Sequence, residues 1–277
     1  MKYDFHCHSH FSDGALSPHA LVQRAADNEI THLALTDHDS LSGLEQAIAA
    51  AQSCDKEIRI INGVEVSAMS EFGEVHIVGL GVDPQNEALI NNLKSQNQAR
   101  WQRAEKINSK LVRCGIEGVF DWLQANVVEV VTRTHIAKAL VELEKVSDMQ
   151  QAFKKFIGRK GRAKVAQEWL PLELVIELIH RAGGMAVLAH PTRYPLSNRK
   201  LSYLIEAFAA EGGDAIEMSY PSLNKDKMQW LSIHREKHNL MVSAGSDFHY
   251  PNLKWTDLGR FPFLDQSLPH VLEKLVN

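Results

Sequence analysis

Histidines are the residues of this sequence with the clearest chemical potential, and two of the fourteen lie two positions apart near the N-terminus. His6 and His8 belong to the segment Asp4-Phe5-His6-Cys7-His8, which has the pattern of a short strand. Alternate residues of a strand face the same side, so the two imidazoles share one face, where burial without a partner is costly. A lone histidine here would more often be a satisfied core residue. The pair, followed at once by Ser12-Asp13-Gly14, instead indicates a metal site.

Five further segments place an ionisable side chain within or at the end of an apolar strand pattern. They are Thr36-Asp37-His38-Asp39, Glu65 in Gly63-Val64-Glu65-Val66-Ser67, His76 in the run 75–80, His190 in Leu188-Ala189-His190-Pro191, and Gly245-Ser246-Asp247-Phe248-His249. Ionisable residues at the carboxyl ends of barrel strands form the active site, whereas interior positions must be apolar. Any one of these residues could be a hydrogen-bonded structural residue. Six such strand ends together predict a metal centre.

Nine side chains are the candidate metal ligands: His6, His8, Asp13, His38, Glu65, His76, His190, Asp247 and His249. They combine imidazole nitrogen with carboxylate oxygen and include no thiolate, a set that suits Mn²⁺, Fe²⁺ or Zn²⁺. Nine ligands are too many for one ion and enough for two or three. We therefore expect two or three divalent ions, with Mn²⁺ as the expected metal and Zn²⁺ or Fe²⁺ as alternatives.

The remaining pattern predicts the elements that must position these residues. Seven short apolar runs are predicted as strands, at 3–8, 32–36, 58–67, 74–81, 185–189, 215–219 and 240–244. Helical patterns separate most of them, which favours parallel strands joined by crossover helices. Because ligands end so many strands, we expect a distorted (β/α)₇ barrel of the α/β class. Residues 1–84 and 169–277 are predicted to form this barrel, with a last helix near 268–276.

Residues 85–168 have a different pattern and predict an all-helical insertion domain, with helices at 86–114, 119–125, 134–142 and 149–156. Between Lys94 and Lys164 the chain has 15 Lys and Arg against 7 Asp and Glu, a balance of +8. The rest of the chain has 15 basic and 27 acidic residues, a balance of −12. The basic excess is either a solvated helical face or a positive wall opposite an anionic substrate, and charge alone does not decide.

Composition favours a cytoplasmic protein. No run of about 18 apolar residues predicts a membrane span, and the N-terminal segment has no signal-peptide core. Cys7, Cys54 and Cys114 are odd in number and form no C-x-x-C pair, which fits a reducing compartment. Neither a membrane nor an obligate protein partner is indicated.

The motifs together closely resemble those of the PHP (polymerase and histidinol phosphatase) superfamily over nearly the whole chain. The matching motifs are DFHCHSHFSDG, ALTDHDS, GVEVS with VHIVGL, AHP and GSDFH. The resemblance implies a distorted (β/α)₇ barrel, in agreement with the strand count. It also implies three metal positions: one held by His6, His8, Glu65 and Asp247, one by Glu65, His76 and His190, and one by Asp13, His38 and His249.

The helical insertion and the phrase Val131-Thr132-Arg133-Thr134-His135 resemble one bacterial branch of that superfamily. Its members hydrolyse nucleoside 3′,5′-bisphosphates and trim short RNAs from the 5′ end. The resemblance implies that Arg133 and His135 bind substrate phosphate, and arginine suits bidentate phosphate binding. The alternative is that Arg133 only opens a helix and His135 packs beside it. The expected substrate is therefore a nucleotide or a short single-stranded RNA.

These parts predict metal-assisted hydrolysis of a phosphate ester, with His190, His249 and Asp247 as the candidate catalytic residues. His190 or His249 could protonate the leaving oxygen, although ligand and acid roles compete. Three alternatives stay open: a metal-dependent amidohydrolase, a small-metabolite phosphatase of the histidinol-phosphate type with the insertion as a lid, and a non-catalytic nucleotide-binding module. Asp13 after the first pair and Asp247-Phe248-His249 argue against an amidohydrolase, and the intact ligand set argues against a non-catalytic module.

Overall fold

The protein is a seven-stranded, nearly closed mixed barrel surrounded by helices, as described by a computed structural model of residues 2–251, 256–265 and 267–276. The strands are β1 Tyr3–Asp4, β2 His32–Leu35, β3 Arg59–Ser70, β4 Gly73–Leu80, β6 Met185–Leu188, β7 Ala215–Ser219 and β8 Met241–Ala244, hydrogen-bonded in that order. A two-residue strand, β5 Leu170–Pro171, pairs with β3 outside this path. The predicted distorted (β/α)₇ barrel is confirmed.

The barrel closes through the residues that follow β1 and β8. Phe5 donates its backbone N–H to the carbonyl of Ala244 at 3.1 Å, and His8 donates to the carbonyl of Phe248 at 2.9 Å. Cys7 and Phe248 form an isolated bridge. The first strand is therefore shorter than the predicted run 3–8, because its second half pairs with an irregular segment.

One strand runs against the prediction of parallel strands. β3 and β4 form an antiparallel hairpin through the turn at Glu71 and Phe72, and β4 is also antiparallel to β6. The hairpin loop is too short to hold a crossover helix, and antiparallel neighbours need only a tight turn. In its register Ser67 lies opposite His76, so His76 is carried to the end of the barrel that holds Glu65.

In the described residues, six helices surround the barrel: α1 Pro18–Asp27, α2 Leu44–Gln52, α7 Leu172–Arg181, α8 Asn198–Ala210, α9 Lys225–Lys237 and α10 Leu272–Leu275. α10 is shorter than the predicted helix 268–276 because His270 forms a bridge with Val242 instead. α1 begins with Pro18 after Ser17, whose hydroxyl accepts the N–H of Ala20, as expected for an N-cap. No helix of the described residues is long and apolar enough to cross a bilayer.

The segment between β4 and β5 is helical, with α3 Glu87–Arg113, α4 Val119–Asn126, α5 Arg133–Glu142 and α6 Met149–Ala152. α6 continues into one turn of π-helix, Phe153–Ile157. These helices pack on each other through a hydrophobic cluster whose buried members run from Ala104 to Ala163. This cluster is distinct from those that pack against the barrel strands.

A buried ion pair ties α3 to the barrel. The guanidinium of Arg100 contacts Asp39 Oδ2 at 2.7 Å through Nε and at 2.6 Å through Nη2, and it also donates to Ser67 Oγ at 2.8 Å. Gln96 donates to Asp39 Oδ1 at 3.0 Å, and the Trp169 ring lies 4.6 Å from the guanidinium carbon. Asp39 follows His38 and Ser67 lies two residues after Glu65, so the pair joins α3 to two segments that carry predicted ligands.

Replacing Arg100 by leucine should lower the free energy of unfolding by about 3–5 kcal/mol, because Asp39 would remain as a buried charge without its cation. Urea denaturation followed by circular dichroism measures this change. Lys94→Leu removes an exposed charge from the same helix and should change the free energy by at most about 0.5 kcal/mol. Equal effects of the two substitutions would show that the Arg100 pair contributes nothing beyond a surface charge.

Candidate metal centre

Glu65 is the centre of the site, and its first oxygen faces two imidazoles. The side chain is fully buried on β3. Its Oε1 lies 3.0 Å from His76 Nδ1 on β4 and 3.0 Å from His190 Nε2, which follows β6. The antiparallel hairpin and the end of β6 therefore bring nitrogen atoms to the same oxygen.

The second oxygen of Glu65 faces three more imidazoles. Its Oε2 lies 2.8 Å from His38 Nδ1 and 3.4 Å from the Nε2 atoms of both His6 and His8. His38 is placed by a bridge between the segment after β2 and Glu65 itself. The same-face placement expected for His6 and His8 is confirmed, because both rings point to this oxygen.

Two aspartates, Asp13 and Asp247, complete the cluster. Asp13 Oδ1 lies 3.2 Å from His249 Nε2 and 3.7 Å from His38 Nε2. Asp247 Oδ1 lies 3.2 Å from His8 Nε2 and 3.5 Å from His6 Nε2. The other oxygen of Asp13 accepts the hydroxyl of Thr132 at 3.0 Å, which connects the cluster to the start of α5.

All nine predicted ligands lie in groups whose nitrogen and oxygen atoms are within 4.8 Å of one another. The four groups are His8, Asp13, His38 and His249; His6, His8 and Asp247; His6, Glu65 and His190; and His38, Glu65 and His76. The geometry brings together the three residues expected for the third ion. Of the residues expected for the second ion, Glu65 lies with His190 in one group and with His76 in another.

The hydrogen bonding of the cluster fits a set of cations. Among the buried atoms without a hydrogen-bond partner in the described residues, five are ligand atoms that face one another in the cluster: His6 Nε2, His8 Nε2, Asp13 Oδ1, His38 Nδ1 and Glu65 Oε2. Buried polar atoms are nearly always satisfied, and unpaired ones indicate a bound ion or water. These atoms all point into the same cluster and are nitrogen and carboxylate oxygen, the donors that divalent transition metals take. The residues are therefore able to bind metal ions.

The carboxylates of the cluster are ionised. Burial by itself raises the pKa of Glu65, but His38, His76 and His6 hold it well below its usual range. Burial likewise acts against Asp13 and Asp247, and the neighbouring histidines keep both pKa values well below normal. The site thus presents three negative charges in a buried space.

The histidines respond to those charges in different ways. Burial lowers the pKa of His76, but Glu65 and Glu74 raise it to about 10. Burial also opposes the charge on His249, yet Asp13 and Asp247 raise its pKa to about 9. Burial and the neighbouring His249 lower the pKa of His8 to about 3. Metal binding must therefore displace protons from His76 and His249, so the affinity should rise with pH.

Glu217 on β7 is a functional residue that the sequence reasoning missed. Its Oε1 lies 2.7 Å from His6 Nδ1, and its Oε2 accepts the backbone N–H of His190 at 2.6 Å. A proton on Nδ1 of His6 leaves the Nε2 lone pair directed at the cluster, and carboxylate partners of this kind orient metal-binding histidines. The available signal was a single glutamate in the buried strand Ala-Ile-Glu-Met-Ser, the same signal that singled out Glu65.

Three residues at the site have backbone angles in the left-handed region. The φ angles are 29° at His190, 49° at Asp247 and 44° at Asp39. Such conformations cost roughly 1–3 kcal/mol each and are concentrated at functional sites. In each case a backbone hydrogen bond holds the strained residue: His190 donates to Glu217, Asp247 to the carbonyl of His6, and Asp39 to the carbonyl of Glu65.

Arg193, which contacts Asp247, is a second residue at the site that the sequence reasoning did not single out. It lies in the short 3₁₀ turn Pro191–Arg193, and its Nη1 donates to Asp247 Oδ2. The Tyr220 ring lies 5.2 Å from the guanidinium carbon. Asp247 therefore uses one oxygen for the cluster and the other for an arginine, an arrangement that fixes the carboxylate.

Arg133 opens α5 and faces the cluster across a cavity. Its Nη2 lies 3.7 Å from Glu74 Oε2, and its side chain is 41% exposed. The cavity of about 160 Å³ is lined by Arg133 together with Asp13, His38 and His76. Arg100 and Arg103 line it as well, so three arginines face a space that adjoins the cluster. Burial and the neighbouring Arg133 lower the pKa of Arg103 to about 10.

His135 takes part in a capping box at the start of α5. Thr132 Oγ1 accepts the backbone N–H of His135, and His135 Nδ1 accepts the backbone N–H of Thr132 at 3.2 Å. Burial lowers the pKa of His135 to about 4. The ring is therefore neutral near pH 7, and its Nε2–H is the donor that it can offer.

A barrel whose strand ends bring imidazoles and carboxylates to a buried cluster defines a metal-dependent hydrolase. The family model for the PHP domain matches residues 4–220, and the chain belongs to this family.

Similar proteins cover almost the whole chain. A 5′-3′ exoribonuclease of Haemophilus influenzae is 42% identical over 273 residues, which are 99% of this chain and 98% of that protein. A 3′,5′-nucleoside bisphosphate phosphatase of Chromobacterium violaceum is 42% identical over 258 residues, which are 92% of this chain and 90% of that protein. A solved structure from Chromobacterium violaceum, described as an amidohydrolase with bound sulfate and no metal, has a TM-score of 0.92 and 39% identity and covers 100% of this chain and 96% of its own.

Glu217→Gln should weaken divalent metal binding by roughly 10- to 100-fold, the usual cost of losing a partner that orients a metal-binding histidine. The carboxylate accepts one hydrogen bond on each oxygen, whereas an amide has one accepting oxygen, so either His6 or His190 loses its partner. Titration calorimetry with Mn²⁺ measures the affinity. Glu206→Gln, an exposed change on α8, is the matched control and should leave binding unchanged. Unaltered affinity in Glu217→Gln would show that Glu217 does not orient the cluster.

Proposed function

We propose that the protein is a divalent-metal-dependent phosphoesterase that hydrolyses nucleoside 3′,5′-bisphosphates and shortens 5′-phosphorylated RNA from its 5′ end. The observation that carries the proposal is the joining of a carboxylate–imidazole cluster to a cavity lined by three arginines. A substrate with two phosphates can place one at the cluster and the other at the arginines. The relatives named as a 3′,5′-nucleoside bisphosphate phosphatase and a 5′-3′ exoribonuclease support this assignment.

The proposed ligand sets are those that the family resemblance implies, and all their members belong to the four groups of the cluster. His6, His8, Glu65 and Asp247 would hold one ion, and Glu65, His76 and His190 a second. Asp13, His38 and His249 would hold a third. The placement of Glu65 between five imidazoles supports its role as the bridging ligand. Mn²⁺ is the proposed metal, since the donor set combines imidazole with carboxylate oxygen.

Divalent ions held by these residues would supply a water nucleophile near neutral pH and would offset the negative charge of a phosphate ester. The chain's own residues orient this chemistry. Asp247 is fixed by Arg193, while Glu217 fixes both the ring of His6 and the backbone of His190. His249 or His190 would give a proton to the leaving oxygen, and this acid role competes with the role of the same residue as a ligand.

Arg133 would bind the phosphate that is not attacked. Its partly exposed guanidinium has a weak ion pair with Glu74, so a phosphate can compete for it. His135 would add a neutral N–H donor from the same helical turn. Thr132 joins this turn to Asp13, which sets the distance between the two phosphate positions.

We further propose that residues 85–168 form an insertion domain on a barrel made of 1–84 and 169–277. The separate hydrophobic cluster of the helices supports this division. A cytoplasmic location is part of the same proposal, and the three unpaired cysteines are consistent with it.

A substrate panel under one metal condition tests the activity. Adenosine 3′,5′-bisphosphate and a short 5′-phosphorylated RNA should be hydrolysed faster than AMP and histidinol phosphate. A preference for histidinol phosphate would favour the small-metabolite reading of the same site, and hydrolysis of none of the four would exclude a phosphoesterase.

Glu65→Gln should reduce turnover by at least about 100-fold, because a bridging carboxylate serves two ions and the amide has a single accepting oxygen. Wild-type protein should contain two or three divalent ions per chain by elemental analysis, and the variant fewer. Prolonged chelation should abolish turnover, and Mn²⁺ should restore it. Fully active wild-type protein with at most one ion per chain would contradict the multi-ion assignment.

Arg133→Ala should lower kcat/KM for adenosine 3′,5′-bisphosphate by roughly 100-fold, about the value of a charge-assisted hydrogen bond or slightly more. Binding energy at a remote phosphate helps to position the reacting one, so both kcat and KM should change. Hydrolysis of a simple aryl phosphate should stay nearly constant. Lys138→Ala removes a more exposed charge from the same helix and serves as the control. Equal losses on both substrates would mean that Arg133 supports the fold or the ions.

A further inference from the structure

The cavity beside the cluster is lined by two unlike sets of residues. The charged set includes the predicted ligands Asp13, His38 and His76 and the three arginines. The apolar set, called the apolar wall below, consists of Ala104, Ile107, Val131, Ile136 and Phe153 of the helical segment, which also carries the arginines. Phosphate is bound by charges and N–H donors, so the apolar wall has no role in phosphate binding.

The proposed substrate supplies a group that needs such a wall. The two phosphates of a nucleoside 3′,5′-bisphosphate are attached to one ribose. If one phosphate lies at the cluster and the other at Arg133, the ribose and its base must lie in the same cavity. The base is the flat, largely apolar part of the molecule. Packing against the apolar wall keeps it away from the charged side chains.

We propose that this apolar wall is a nucleobase subsite and that the base stacks on the ring of Phe153. The inference rests on the proposed function. Phe153 is the one phenylalanine, tyrosine or tryptophan among the described residues that line the cavity, and it is half-buried and packs against the helical cluster. Stacking on an aromatic ring is worth a substantial part of the affinity for single-stranded nucleotides.

The backbone at Phe153 is built to hold this ring in place. Phe153 is the first residue of the π-helical turn, and its carbonyl accepts the N–H of Gly158 at 2.8 Å. A Cβ atom at Gly158 would lie 2.5 Å from that carbonyl oxygen, so the turn requires glycine there. π-helical turns are rare and are frequent at functional sites.

The subsite accepts any base. Most polar groups that line the cavity already have partners: Thr132 bonds to Asp13 and His135, and Arg100 bonds to Asp39 and Ser67. Thr134 adds one hydroxyl. Stacking is tolerant of sequence because every base has a π face. An enzyme that removes successive nucleotides from RNA needs this tolerance.

The test compares adenosine 3′,5′-bisphosphate with 1,4-anhydroribitol 3,5-bisphosphate, which has both phosphates and no base. Wild-type protein should prefer the nucleoside by roughly 10- to 100-fold in kcat/KM. Phe153→Ala should remove most of this preference by weakening the nucleoside reaction alone, and Phe153→Trp should retain it. Lys154→Ala changes the exposed neighbour in the same π-helical turn and should behave as wild type. The bisphosphates of the four common nucleosides should differ by less than about tenfold in wild-type protein.

Three results would overturn the subsite. Wild-type protein that hydrolyses both compounds equally well has no base contact. An equal loss on both compounds in Phe153→Ala makes Phe153 a structural residue, and Phe153→Leu, which keeps an apolar side chain, checks this if the alanine variant does not fold. Failure of wild-type protein to hydrolyse either compound removes the proposed function as well, which distinguishes it from the first two results.

Discussion

The structure depends on a buried carboxylate that cannot remain buried without positive charge. Glu65 is fully enclosed and ionised, and five imidazoles approach its two oxygens. An isolated carboxylate in an apolar interior costs far more than a fold can tolerate, so the site requires cations or protons around it. The barrel meets this requirement because its strands bring side chains to one rim, where β1, β2, β4 and β6 or the residues that follow them supply the five imidazoles. The antiparallel β4 contributes to the same rim through the hairpin register that carries His76 toward Glu65.

The nine predicted ligands were accessible from the sequence because ionisable residues in apolar strands are conspicuous and recur at strand ends. The partners of those residues were less accessible. Glu217 is also a lone glutamate in a buried strand, but no neighbouring histidine marked it, and its contacts to His6 and His190 span 211 and 27 residues of sequence. Arg100 has the appearance of one more charge on a polar helix until the fold places it against Asp39. The direction of β4 was not determined by hydrophobicity, since an apolar run has the same pattern in either direction, and only the two-residue turn indicated it.

The helical segment and the barrel carry opposite net charges, and several arginines of the helices lie beside acidic residues of the barrel. The segment 94–164 carries a balance of +8 and the remainder of the chain −12. Arg100 and Arg103 on α3 and Arg133 on α5 all line the cavity beside the three carboxylates of the cluster. The positive side chains favour an anionic ligand between themselves and the proposed ions, because arginines and metal ions both attract phosphate. The buried pair of Arg100 with Asp39 makes this helix part of the site's framework, since Asp39 adjoins His38 in the chain.

The strained backbone at the rim has a physical role in this arrangement. Asp39, His190 and Asp247 each hold a left-handed conformation that an L-residue with a side chain disfavours. Asp39 and Asp247 donate their N–H groups to the carbonyls of Glu65 and His6, and His190 donates to the carboxylate of Glu217. Together these conformations cost a few kcal/mol, which must be offset by the rest of the fold. Relaxing the backbone at His190 would rotate its ring away from Glu65, and relaxing it at Asp247 would move that carboxylate away from His6 and His8. Relaxing it at Asp39 would shift the neighbouring His38. The fold therefore fixes the ligand geometry through its backbone, and a site fixed in this way loses little conformational freedom when it binds metal and substrate.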